Sequence, residues 1–159
     1  AEGHNIAFTS LWDNYPDSLQ IPLQGKASRA YLLMAGSTNH MQCHIDNGVI
    51  RVYYEDGTCD TLSLVNPDNW PPIEQIFFED GKSFNRHAPS LYRLRLKTGE
   101  LSNNFGEELG FTGVSREVDG GAAVLLEMSL NAGKKLSHLV LETLSNEVVI
   151  GIMGITLQR

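Results

Sequence analysis

The amino-acid sequence predicts an all-β fold, a sandwich or a barrel, in a single domain. Three observations carry this reading. No stretch sustains the i, i+3, i+4, i+7 apolar spacing of a long amphipathic helix. Short apolar or alternating runs recur instead, punctuated by Gly, Asn, Asp and Pro. A length of 159 residues, 42% of them apolar and 19% charged, suits one ordinary core. A chain of that size buries roughly 70% of the surface it exposes when unfolded.

In chain order the runs that read as strands are Ile6–Leu11, Arg29–Ala35, Met41–Asp46, Val49–Glu55, Cys59–Val65, Ile73–Phe78, Leu91–Leu96, Ala122–Leu130, His138–Thr143 and Val148–Leu157. Gly81–Ser90 and Thr98–Gly121 carry little pattern and read as loops or short irregular elements. Met41 to Val65 reads as a three-strand meander. Asn47-Gly48 is a strong two-residue hairpin signal, because a type I′ turn needs φ > 0 at both central positions. It sets Ile45 opposite Ile50 and Cys43 opposite Val52. A two-residue turn on Asp56-Gly57 would point Leu62 and Leu64 away from Ile50 and Val52. A three-residue loop with Gly57 as a left-handed bulge puts all four on one face, so that loop is expected.

The same register places Cys43 inward and Cys59 outward with a strand between them. Two strand spacings are roughly 9–10 Å, beyond the ~7 Å limit between disulfide-bonded Cα atoms, so two free thiols are expected. The closing run, Val148 to Leu157, is almost wholly apolar and is expected inside a sheet, covered on both faces, with Gly151 and Gly154 marking close crossings.

Net charge is −7, from 12 Lys+Arg against 19 Asp+Glu. With no basic cluster, neither nucleic acid nor an anionic membrane is an expected partner. No apolar run reaches the ~18 residues of a membrane span, and Ala1 to Ser10 is no signal peptide, so any export signal is expected outside this chain.

Chemistry is harder to find. On a strand, His40 and His44 would lie some 13 Å apart, too far for zinc to bridge, and His4, His87 and His138 are scattered along the chain. Glu74, Glu79, Asp80, Asp13 and Asp17 supply carboxylates, but no pair is brought to the separation glycosidase chemistry needs. There is no Gly-x-Ser-x-Gly elbow, no activated cysteine and no phosphate loop. No catalytic residue, metal ligand or cofactor is therefore assigned. A structural calcium held by the Asp/Asn-rich turns is the one alternative.

Two tryptophan segments remain, Trp12, Asp13, Asn14 and Tyr15 in the first, and Asn66, Asp68, Asn69 and Trp70 in the second. Sugars bind with a C–H face on an aromatic ring while amides and carboxylates hold the hydroxyls. Both segments carry that inventory and are the candidate ligand-binding residues. The competing reading has Trp12 and Trp70 plugging the ends of the sandwich.

Phe8-Thr9-Ser10-Leu11-Trp12-Asp13-Asn14-Tyr15-Pro16-Asp17, Gly25-Lys26-Ala27, Tyr31 through Asn39, Asn66-Pro67, and Trp70-Pro71-Pro72-Ile73-Glu74-Gln75 together resemble the bacterial family DUF4450. The tail, Leu141-Glu142-Thr143-Leu144 with Ile150 through Leu157, fits the same pattern, although Pro71 stands where an aromatic would be expected. The resemblance implies the C-terminal accessory domain of a longer protein from Bacteroidetes or Firmicutes, such as a Bacteroides species, whose preceding region is similar to an (α/α)6 glycosidase. It also implies a galactose-binding-like jelly-roll sandwich spanning residues 1–159 and a periplasmic or extracellular location. It carries no catalytic residues.

The expected function is thus a non-catalytic, carbohydrate-binding accessory domain for neutral glycans, since an acidic surface disfavours anionic ones. The alternatives are a structural domain packed against the catalytic region of its parent and, more remotely, an independent glycan hydrolase.

Overall fold

A computed structural model describes residues 5–12, 14–74, 86–104 and 118–159. The described residues form ten strands: β1 (Ala7–Ser10), β2 (Ser18–Pro22), β3 (Arg29–Ser37), β4 (Asp46–Tyr54), β5 (Cys59–Val65), β6 (Tyr92–Arg95), β7 (Leu101–Ser102), β8 (Ala122–Ser129), β9 (Leu136–Thr143) and β10 (Val149–Gln158). They build a six-stranded sheet, ordered β1-β10-β3-β8-β6-β7, and a four-stranded one, ordered β2-β9-β4-β5. Every pairing of named strands is antiparallel. The fold is an all-β antiparallel sandwich. Without the β6–β7 hairpin, the order is that of a jelly roll, with successive strands, the β4–β5 hairpin excepted, crossing between two sheets.

Strand alternation explains why the sheets face each other. On β3, Ala30, Leu32 and Met34 are buried, and on β8 Val124, Leu126 and Met128 join them. From the other sheet come Ile50, Val52, Leu64, Leu139 and Leu141. Trp70 fills the same cluster from outside any strand.

The Met41–Val65 region departs from the expected meander at its first turn. His40–Gln42 is a 3-10 turn, and Cys43 makes only an isolated parallel bridge to Asn66. No strand Met41–Asp46 forms, and Asn47 and Gly48 lie inside β4. Ile50 faces Leu62 and Leu141, and Val52 faces Asp60 and Leu139.

The cause is local. Thr38 Oγ1 donates to Asn47 Oδ1 at 2.5 Å, and Asn47 Nδ2 donates to the Gln42 and Ile45 carbonyls at 2.8 and 3.1 Å. The Asn47 carbonyl accepts from the Leu144 and Ser145 amides. Asn47 is fully buried and ties three segments together. Gly48 answers a close approach, not a turn: a Cβ there would lie 2.8 Å from the Glu142 carbonyl oxygen.

The second turn follows expectation. Gly57 has φ +82°, Tyr54 N–H donates to the Thr58 carbonyl at 2.9 Å, and the pairing Ile50↔Leu62 aligns the inward faces. Both cysteines are free thiols, Cys43 half-buried and Cys59 exposed.

Two strands are absent from the expected set. β2 ends on Pro22, which reads as a strand breaker but is tolerated because β2 lies at a sheet edge. β7 has only two residues. Of the expected strand Ile73–Phe78, Ile73 and Glu74 form a turn and 75–78 lie outside the described residues. β10 sits between β1 and β3 as expected, although its outward positions Val149 and Met153 are half-exposed. Gly151 is a close crossing, where a Cβ would meet the Ala35 carbonyl oxygen at 2.8 Å. Gly154 is not one, since it sits at a register shift with Leu33 Cβ 4.0 Å away.

Candidate functional site

The β1–β2 connection is a closed aromatic tip. Ser10 N–H donates to the Pro16 carbonyl and Tyr15 N–H to the Trp12 carbonyl, each at 3.0 Å. Below it, Ser10 Oγ donates to the Val148 carbonyl at 2.8 Å, and the Thr9 and Thr143 hydroxyls meet at 2.7 Å. With the turn closed by these two main-chain bonds, the Trp12 and Tyr15 side chains turn towards water. Trp12 is 52% exposed and Tyr15 44%. Their rings lie 6.4 Å apart and tilted by 38°, and Phe8 packs edge-on against Tyr15 at 5.1 Å. Asn14 is exposed beside them, and Asp13 lies outside the described residues. From Phe8 an apolar groove of about 580 Å³ runs along the outer face of the six-stranded sheet, past Ile6, Ala35, Ile73 and Val149.

The second segment has the opposite character. Trp70 is 0% exposed, so its ring lines no surface and cannot meet a sugar. It packs in the core, close enough to Gly36 that a Cβ there would lie 2.7 Å from Trp70 Cζ2. Among the described residues its indole N–H has no hydrogen-bond partner. The chain beyond is pinned down by Ile73 N–H on the Gly36 carbonyl and by Arg93, whose Nη2 donates to the Pro72 and Ala122 carbonyls at 2.9 and 2.7 Å. Burial pulls the Arg93 guanidinium down to about 10, against the pull of Glu74, so it keeps its charge at neutral pH.

The polar members of that segment are directed onto the turn itself, with Asn66 Oδ1 left without a partner among the described residues. Asn69 Oδ1 accepts from Val65 N–H at 2.7 Å while Nδ2 donates to the Ser63 carbonyl at 2.8 Å. Asn66 is buried, and its Nδ2 donates to Cys43 Sγ at 3.3 Å. These asparagines shape the turn and present no amide to a ligand. The sandwich therefore does not join the two candidate segments into one groove.

No family model, curated protein or solved structure matches this chain.

Asp68 is the exception in the second segment. His44 and His87, scattered in the sequence, stack with ring centroids 4.5 Å apart and planes 20° apart. Asp68 lies beside both, with Oδ2 4.0 Å from His87 Nδ1, and its Oδ1 accepts from His87 N–H at 2.6 Å. His44 carries φ +57°, held by its N–H on the Asn66 carbonyl at 2.7 Å. The nearby Cys43 thiol is pushed up by burial and by the Asp68 charge. No local motif announces this group, because its members come from three separated segments.

The His40 side chain lies outside what the structure describes. His138 stacks on Tyr53 at 4.8 Å, and the His4 residue lies outside the described residues. Of the carboxylates weighed for hydrolysis, Glu79 and Asp80 also lie outside them.

Proposed function

We propose that this chain is a non-catalytic accessory domain of a bacterial carbohydrate-processing protein, and that it binds a neutral glycan on the Trp12–Tyr15 surface. One observation carries the reading: two large aromatic side chains stand half-exposed to water on a short turn closed by two main-chain hydrogen bonds. Exposed rings on a rigid support are what stacking against a sugar's C–H face requires. Phe8 buttresses Tyr15 and joins the platform to the groove along the sheet. The excess of acidic side chains favours neutral glycans over anionic ones. Membership in a DUF4450-type parent, and hence a periplasmic or extracellular setting, belongs to the same proposal.

The test is a tryptophan-fluorescence titration of the chain against neutral plant and host oligosaccharides. A saturable shift is expected, lost in Trp12→Ala and kept in Trp70→Phe. A folded protein silent across the panel would overturn the binding reading.

One observation favours a second reading, in which the domain packs against the (α/α)6 glycosidase-like region of its parent. Leu33, Leu125 and Tyr92 stand directly across from one another on β3, β8 and β6, on the face opposite the core. Tyr92 is 52% exposed, and Leu101 on β7 is 51% exposed. An outward apolar row of this kind is a common mark of an interface.

A further inference from the structure

The geometry points to a metal-binding site formed by His44, Asp68 and His87, taking a divalent transition-metal ion of the zinc type. It stands independently of the glycan reading.

Each of the three residues offers one ligand atom, and these atoms lie within 4.8 Å of one another. A tetrahedral zinc ion with bonds of 2.0–2.2 Å holds its ligand atoms about 3.3 Å apart. The three must therefore close by at most about 1.5 Å. That is within the reach of side-chain rotation, above all at His87, whose side chain is 67% exposed.

Two further features favour an ion. His44 Nε2 is shut away from solvent and, among the described residues, has no hydrogen-bond partner. A buried imidazole nitrogen left unsatisfied is destabilising unless something fills its place. His44 also sits at positive φ, an uncommon conformation for a residue with a side chain, which here holds the ring over His87. The backbone fixes the other ligands: the Asp68 carboxylate that would bind the ion also accepts from His87 N–H, anchoring the segment that leads into β6.

The donor set selects the ion. Two imidazoles and one carboxylate suit zinc and its transition-metal neighbours, whereas calcium asks for six to eight oxygens. The structural calcium considered from sequence does not fit these ligands. Three protein ligands leave a fourth position for water. The ion would clasp the 86–91 segment to the turn after β5 and to the loop before β4.

The experiment is calorimetric titration of the metal-free chain with zinc chloride, paired with cobalt(II) absorption as a report of coordination geometry. Expected are one ion per chain, visible cobalt bands of a four-coordinate site, and a rise in the melting temperature. His87→Ala should weaken binding by more than about a hundredfold, the upper end of what losing a mere outer-shell partner does. Asp68→Asn keeps an oxygen for the His87 amide and should also weaken binding, which separates ligation from folding. His138→Ala should leave binding unchanged. No zinc uptake by the folded chain overturns the proposal, and so does uptake that survives His87→Ala or is lost in His138→Ala.

Discussion

Two turns of this sandwich are built from nearly the same residues and end in opposite places. The tip between β1 and β2 holds Trp12, Asn14, Tyr15, Pro16 and Asp17; the turn after β5 holds Asn66, Pro67, Asp68, Asn69 and Trp70. Trp12 is 52% exposed and Trp70 0%. Both turns close on main-chain bonds, with Asn69 and Trp70 N–H on the Val65 carbonyl after β5; the difference lies in where the polar side chains go. At the tip, main-chain groups bond to one another, as in Tyr15 N–H to the Trp12 carbonyl, and the side chains are left over. After β5, Asn69 uses both ends of its amide on the main chain of β5, and Asn66 is buried against Cys43. The tryptophan that follows is carried inward, into space that Gly36 leaves open. Residue inventory alone does not distinguish a binding surface from a core plug. The destination of each polar group does.

The comparison is most exposed to failure at Trp70. Removing a buried aromatic leaves a cavity that the surrounding sheets only partly fill, and costs about 3–5 kcal/mol. Trp70→Ala is therefore expected to lower the midpoint of urea unfolding by that amount, or to prevent folding. Trp70→Phe keeps most of the ring and discards an indole N–H that has no partner among the described residues, so it should cost clearly less. If Trp70→Ala unfolded like the parent protein, the ring would not be the core element its burial implies.

How much of this was legible follows the range of the interactions involved. β5 was readable residue for residue, and so was the three-residue turn at Gly57, because both rest on near neighbours: period-two alternation, and a left-handed residue at a fixed place in a hairpin. Asn47-Gly48 misled for the same reason. Its local signal is that of a turn, while the contacts that decide it come from Thr38, Leu144 and a β9 carbonyl far along the chain. β2 was hidden by Pro22, whose sheet-edge position no local pattern reveals. At the candidate sites, the Trp12–Tyr15 pair was readable as an inventory, since its members are adjacent. The grouping of His44, Asp68 and His87 was not, because the fold alone brings those three segments together.

A smaller effect is expected at the asparagine of the buried turn. Asn69→Ala leaves the Val65 N–H and the Ser63 carbonyl without their side-chain partner in a partly buried place, a loss of about 1–3 kcal/mol. Asn14→Ala at the exposed tip should stay within about 0.5 kcal/mol, the usual range for a surface substitution. Equal effects in urea unfolding would mean that side-chain amides do not separate the two turns.

The smallest effect on stability is expected at Trp12, and it is the one on which the functional reading depends. Trp12 joins its turn through main-chain atoms: its carbonyl accepts from Tyr15 N–H at 3.0 Å, and its N–H reaches Ser10 Oγ at 3.4 Å. Alanine keeps both. What it removes is a ring in water, tilted against Tyr15 and outside the core cluster. Trp12→Ala should therefore change unfolding free energy by no more than about 0.5 kcal/mol, while its remaining emission, from Trp70 alone, resists a collisional quencher such as acrylamide. The unsubstituted chain should show a quenchable fraction and a protected one. A loss of stability approaching that of Trp70→Ala would make the tip a second core, with no ring left over for a sugar. An unchanged stability with a vanished glycan response would separate binding from folding at a single side chain.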